Sequence, residues 1–131
     1  MSRVLVADDD AEVRGVVRRA LCRLEHEVFE ANDGAVALRL LDAIRFDLVI
    51  TDVYMAAMDG MELLVRMQQL DLEVPVVVMS GGGHRSRDEV LDMAGRCGAV
   101  ATLDKPFELD DLRRTVEDLV PASSIGQALR R

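Results

Sequence analysis

The sequence predicts an open α/β domain in which five strands alternate with five helices, (βα)5, around one parallel sheet. Three observations carry that expectation. Short apolar runs recur along the chain at Val4–Ala7, Leu48–Thr51, Val76–Met79 and Ala99–Leu103, and an unbroken apolar run marks a strand buried on both faces. Between the runs, apolar residues fall at helical spacing. The runs also end in chemically capable residues: Asp8-Asp9-Asp10, Asp52, Ser80-Gly81 and Asp104-Lys105-Pro106, with Lys105 the only lysine of the chain. Ligands of open α/β sheets bind just beyond the carboxyl ends of the strands, so these four ends describe a site.

The first strand, Val4–Ala7, is followed by Val13, Val16, Val17, Ala20, Leu21 and Leu24, a helical stripe with arginines opposite and Asp10 as N-cap. Val28-Phe29 is a short second strand. Asn32-Asp33-Gly34 is a turn and cap, and Ala35, Leu38 and Leu41 continue as a second helix to about Ile44. The third strand is Leu48–Thr51. Gly60 opens a third helix through Leu63, Leu64 and Met67. Pro75 begins the fourth strand, since a missing donor is tolerated at the first position. Gly81-Gly82-Gly83 is a flexible loop. The fourth helix runs from about Ser86 to Arg96 with Gly98 as its C-cap. The fifth strand is Ala99–Leu103. The fifth helix carries Leu109, Leu112, Val116 and Leu119 and stops at Pro121. Right-handed crossovers put helices on both faces of the sheet. Residues 1–121 form one domain, and residues 122–131 a tail or linker.

Composition narrows the function. Half of the 131 residues are hydrophobic but only 3% aromatic, so the core is aliphatic. A formal charge of −8 argues against nucleic-acid binding by this segment, which needs a basic face, and suits cations or a basic protein partner. Cys22 and Cys97 have no metal or redox spacing and read as reduced thiols. Met1-Ser2-Arg3 leads into only four apolar residues, unlike a signal peptide, and no run approaches membrane-spanning length. The expected location is the cytoplasm, without a membrane partner.

Carboxylates at neighbouring strand ends repel one another unless a cation sits among them. Asp8, Asp9 and Asp52 supply hard oxygen ligands suited to Mg²⁺, with Mn²⁺ as a substitute. Lys105 adds a mobile point charge and Ser80 a donor hydroxyl. A carboxylate nucleophile that forms an aspartyl phosphate fits this set. Taken singly, each aspartate reads as a helix cap or a strand end; gathered at one sheet edge, they read as a site.

These residues resemble the receiver domain of two-component response regulators, over Arg3 to about Val120. The matching segments are VLVADDD, AND-G-AVAL, FDLVITD, Met58-Asp59-Gly60, VVVMSG and the DKPF that ends at Phe107. The resemblance implies a flavodoxin- or chemotaxis-receiver-like sheet of order 2-1-3-4-5. It implies Asp52 as phosphoacceptor, and Mg²⁺ held by Asp8, Asp9, Asp52 and the backbone carbonyl of Tyr54. It further implies Ser80 as the switch hydroxyl, Lys105 as the phosphoryl-facing lysine and a cis Lys105-Pro106 bond. The implied partners are a sensor histidine kinase or phosphotransfer protein. A phosphorylation-dependent dimer or target would use the face of the fourth helix, fifth strand and fifth helix. The implied protein is a switch rather than an enzyme, promoting only its own phosphorylation and dephosphorylation.

Three departures stand out. Ala56 occupies a position where proline is common, Thr102 one where a rotating aromatic is common, and three glycines follow Ser80. Two other readings compete. Asp8 and Asp10 have the spacing of haloacid dehalogenase-type phosphatases, but Glu12 follows and no cap domain is evident. A receiver-like interaction module without phosphorylation would be favoured by loss of Asp8, Asp9, Asp52 or Lys105, all present. His26 reads as a turn residue and His84 as a solvated loop histidine. Met55, Met58, Met61 and Met67 read as core fillers, the arginines of the first helix as a solvated face, and the glycine loop lacks the Gly-Lys-Ser/Thr of a P-loop. No helix-turn-helix, catalytic or kinase segment is read after Pro121, and the expectation is either a stand-alone receiver or the start of a longer regulator.

Overall fold

A computed structural model describes residues 2–81 and 87–120. Gly82, Gly83, His84, Ser86, Pro121 and the tail lie outside the described residues. The elements are β1 (Arg3–Ala7), α1 (Ala11–Arg23), β2 (Glu27–Ala31), α2 (Gly34–Ala43), β3 (Leu48–Asp52), α3 (Gly60–Gln69), β4 (Val76–Ser80), α4 (Arg87–Arg96), β5 (Ala101–Asp104) and α5 (Leu109–Leu119). All strand pairs are parallel, and the sheet order is β2-β1-β3-β4-β5.

Alternation along each strand divides the core into two layers. Leu5, Ala7 and Val49 pack with Ala37, Leu41, Leu63, Leu64, Met67, Val90 and Ala94, so α2, α3 and α4 cover one face. Val4, Val6, Leu48 and Ile50 pack with Val17, Leu21, Leu112 and Val116, so α1 and α5 cover the other. Met67 is buried, and Met55, Met58 and Met61 pack against the first layer as fillers. Among the described residues, no helix is long and apolar enough to cross a membrane.

The ends of β2, β3 and β4 shift by one or two residues from the sequence expectation, and two further details differ. Val16 is 42% exposed: successive helical residues lie about 100° apart, and Val17 takes the inward position. β5 begins at Ala101 rather than Ala99, because Ala99 closes the preceding helix. Gly98 (φ 96°) donates to Gly95 O, and Ala99 N–H donates to Ala94 O at 2.9 Å, the paired bonds of a Schellman cap.

The same cap ends α1, where Glu25 donates to Cys22 O, His26 donates to Leu21 O, and Glu25 is left-handed at φ 66°. That conformation costs a residue bearing a Cβ roughly 1–2 kcal/mol, and glycine escapes it at an entropic cost of about 0.5–1 kcal/mol. Glu25→Gly is expected to stabilise the fold by about 0.5–1 kcal/mol in urea melts; an unchanged or lower midpoint would contradict this.

His26 carries more than the sequence reading allowed. Its Nδ1 is buried without a hydrogen-bond partner among the described residues. Burial is the main cause that lowers its pKa below 6.5, with the charge of Asp47 opposing. A base with a depressed folded pKa contributes stability above its unfolded value and loses it as pH falls from there toward the folded value. Stability is expected to drop below pH 6.5, and His26→Gln to flatten that drop. Parallel pH profiles for the two proteins would sink the assignment.

Candidate functional site

The site lies at the carboxyl edge of the sheet, where β1, β3, β4 and β5 end side by side. Asp8 follows β1, its N–H donating to Ala31 O and prolonging the ladder by one residue. Its side chain is wholly buried. Asp8 Oδ1 accepts from Asp10 N–H at 2.9 Å and Oδ2 from Lys105 Nζ at 2.7 Å. Asp10 faces away and caps α1, accepting from the N–H groups of Glu12 and Val13. Asp9 is exposed between them.

Asp52 ends β3, nearly buried, and its Oδ1 accepts from Val53 N–H at 2.9 Å. Lys105 Nζ lies 3.3 Å from that oxygen, so one ammonium bridges Asp8 and Asp52. Asp8, Asp9 and Asp52 each offer an oxygen within 4.8 Å of the others. Three carboxylates at that separation fit a hard divalent cation with oxygen preference. Tyr54 lies in the loop beyond Asp52, 38% exposed.

Burial is the main cause that raises the Asp52 carboxyl above its ordinary pKa; Lys105 opposes and Asp8 adds to it. Burial works against the Lys105 ammonium, but its bond to Asp8 and the charges of Asp52 and Asp8 outweigh this and hold it above 10.5. Asp52 is thus disfavoured as an anion chiefly by its burial, which Lys105 offsets only in part.

Ser80 ends β4 opposite Asp104, and its carbonyl accepts from Lys105 N–H. The Lys105-Pro106 bond is cis. Thr102 stands one step back on β5, paired with Val78, in an open groove of about 440 Å³ with Asp104, Pro106, Phe107 and Asp111. Across the sheet it lies in the row of Thr51, one residue behind that of Asp52, with β4 between the two strands. Two glycines make the close approaches possible. A Cβ at Gly60 would stand 2.2 Å from Asp52 O, and one at Gly81 would stand 2.8 Å from Lys105 Cβ. The sequence reading assigned Gly81 only to a flexible loop, because steric contact across two strand ends has no sequence period.

A sequence profile for the response regulator receiver domain matches residues 4–117. The chain belongs to the response regulator receiver family. This receiver is 32% identical over 130 residues to the regulatory protein AtoC of Escherichia coli, covering 99% of this chain and 28% of that protein. It is 29% identical over 122 residues to sporulation initiation phosphotransferase F of Bacillus subtilis, covering 93% of this chain and 96% of that one. The solved structure of the Vibrio cholerae chemotaxis protein CheY4 has a TM-score of 0.81 at 31% identity, over 92% of this chain and 99% of that one. The receiver thus spans just over a quarter of AtoC and nearly all of the sporulation protein. Its function is that of a phosphoryl-accepting signalling switch. Receiver domains work with histidine kinases or phosphotransfer proteins, and they are signalling domains rather than classical enzymes. The phosphatase reading falls with the family match and with the capping role of Asp10.

One residue of the α1 face departs from the solvated reading. Arg14 Nη1 donates to Asp8 O at 2.6 Å, and its Nε lies 3.3 Å from Glu30 Oε1.

Proposed function

We propose that this receiver takes a phosphoryl group onto Asp52 from a histidine kinase or phosphotransfer protein. One Asp52 oxygen attacks phosphorus, the bond to the donor nitrogen breaks, and the leaving imidazole takes up a proton. The observation that carries the reading is Lys105, whose ammonium lies within 3.3 Å of both Asp8 and Asp52 at the mouth of the carboxylate trio. There it would meet the equatorial charge of the transferring group. Asp8, Asp9, Asp52 and the backbone carbonyl of Tyr54 would hold Mg²⁺, or Mn²⁺ in its place, whose charge offsets that of the phosphoryl oxygens.

Ser80, at the end of β4, is the hydroxyl that would close on the phosphoryl group. Its movement biases the surface of α4, β5 and α5, a shift between two populated states. A phosphorylation-dependent dimer or a target protein would read that surface. The receiver occupies residues 1–121, with residues 122–131 a tail or linker, in the cytoplasm. It promotes only its own phosphorylation and dephosphorylation.

The test is incubation with a small acyl phosphate and Mg²⁺, followed by intact mass and peptide mapping. One base-labile phosphoryl group on Asp52, absent with chelator, is expected. Labelling elsewhere, or labelling independent of Mg²⁺, would overturn the reading. β4 stands between Thr102 and the strand of Asp52, so Thr102→Ala is expected to leave the extent and rate of labelling nearly unchanged. Loss of labelling in that variant would tie the groove to the chemistry.

A further inference from the structure

Asp8 is gripped at every polar atom. Its N–H is taken by Ala31, Oδ1 by Asp10 N–H and Oδ2 by Lys105. Its carbonyl oxygen is taken by Arg14, at 2.6 Å. Arg14 is itself anchored: its side chain is 18% exposed, and it spans from the end of β1 to Glu30 on β2. Asp9 differs. It is exposed, and no hydrogen bond or ion pair to a described residue holds its carboxylate.

The peptide linking Asp8 to Asp9 is planar. Holding the Asp8 carbonyl therefore holds the nitrogen and Cα of Asp9, and the bond from Asp10 N–H to Asp8 Oδ1 limits how Asp9 turns about them. We propose that Arg14 is a positioning residue for the divalent cation, setting the Asp8–Asp9 peptide plane so that Asp9 reaches the same ion as Asp8 and Asp52. This rests on the metal site proposed above. It also runs against simple electrostatics, because a guanidinium beside an acidic cluster repels a second cation. Charge alone predicts tighter binding when Arg14 is removed; positioning predicts weaker binding.

The test is calorimetric titration of the full chain with Mg²⁺. Arg14→Met is expected to raise the dissociation constant about tenfold, the usual effect of losing a group that orients a metal ligand. Arg18 also reaches Glu30 but is exposed and bonds no carbonyl of the site, so Arg18→Met is expected to leave the constant unchanged or slightly lower. Because Arg14 acts through Asp9, Arg14→Met added to Asp9→Asn should weaken binding no further, a non-additivity that general loosening would not produce. An unchanged or lower constant in Arg14→Met, additive effects, or equal weakening by Arg18→Met would overturn the proposal. Should Arg14→Met fail to fold, Arg14→Gln decides: it keeps a donor where Nε meets Glu30 but ends two bonds short of the Nη1 that reaches Asp8 O, and a constant equal to the parent's would overturn the proposal. Equal Mg²⁺ affinity in the parent and Asp9→Asn would overturn the metal site, and this inference with it.

Discussion

Asp52→Asn is expected to abolish phosphoryl uptake and, in the same protein, to raise the stability of the metal-free fold. Both effects come from one carboxylate. Burial, and the charge of Asp8 beyond it, raise the Asp52 carboxyl above its ordinary pKa despite Lys105. A carboxyl with a raised folded pKa contributes stability below its unfolded value of 3.8 and loses it as pH rises through the folded value. At neutral pH the ionised group therefore opposes folding. Asparagine keeps an oxygen to accept from Val53 N–H and sheds the charge. A gain of about 1 kcal/mol is the usual scale for relieving a strained functional site. For a domain of this size that is about 4 °C in melting temperature. The gain should shrink as pH falls toward 3.8. Thermal melts in chelator and mass spectrometry with a phosphodonor measure the two effects. A less stable variant, or one that still gains a base-labile phosphate, contradicts the assignment.

Lys105→Met is expected to produce the opposite stability change. Lys105 Nζ, 2.7 Å from Asp8 Oδ2, is the cation that pairs a wholly buried carboxylate. Its folded pKa is raised above 10.5, so its contribution is fully present at neutral pH and is lost only as pH rises through the folded value. Removing one member of a buried pair leaves an uncompensated charge, at a cost of about 3 kcal/mol. The same substitution removes a repulsive cation from the trio, so Mg²⁺ should bind more tightly. At about a hundred times its dissociation constant, Mg²⁺ would return about 2.7 kcal/mol. Urea denaturation with and without Mg²⁺ reads this directly. Phosphoryl uptake should stay low even with the ion bound, since the charge facing the phosphoryl group is gone. A variant as stable as the parent in chelator would show that solvent, not Lys105, neutralises Asp8.

Much of this was legible in the sequence, for reasons visible in particular residues. Val4–Ala7 and Leu48–Thr51 read as buried parallel strands because helices cover both faces of the sheet and leave no polar alternation. Asp10 and Asp33 read as caps, and both side chains accept from the first-turn N–H groups of α1 and α2. Val16 was misplaced because adjacent apolar residues in a helix share one code but not one direction. Ala99 and Val100 were assigned to β5 because an apolar pair before a strand looks like strand; the left-handed Gly98 commits Ala99 to the helix end instead.

The sequence by itself determined the alternation of elements, the two-faced aliphatic core and the delivery of Asp8, Asp9, Asp52, Ser80 and Lys105 to one sheet edge. These are local properties, set by period and by what ends each run. Only the tertiary structure decided that Lys105 bridges Asp8 and Asp52, that Gly60 and Gly81 leave room for this, and that Arg14 grips the Asp8 carbonyl from α1. Those contacts join residues up to 97 positions apart. They depend on strand order, register and the angle at which a helix crosses the sheet, none of which leaves a periodic trace in the residues that make them.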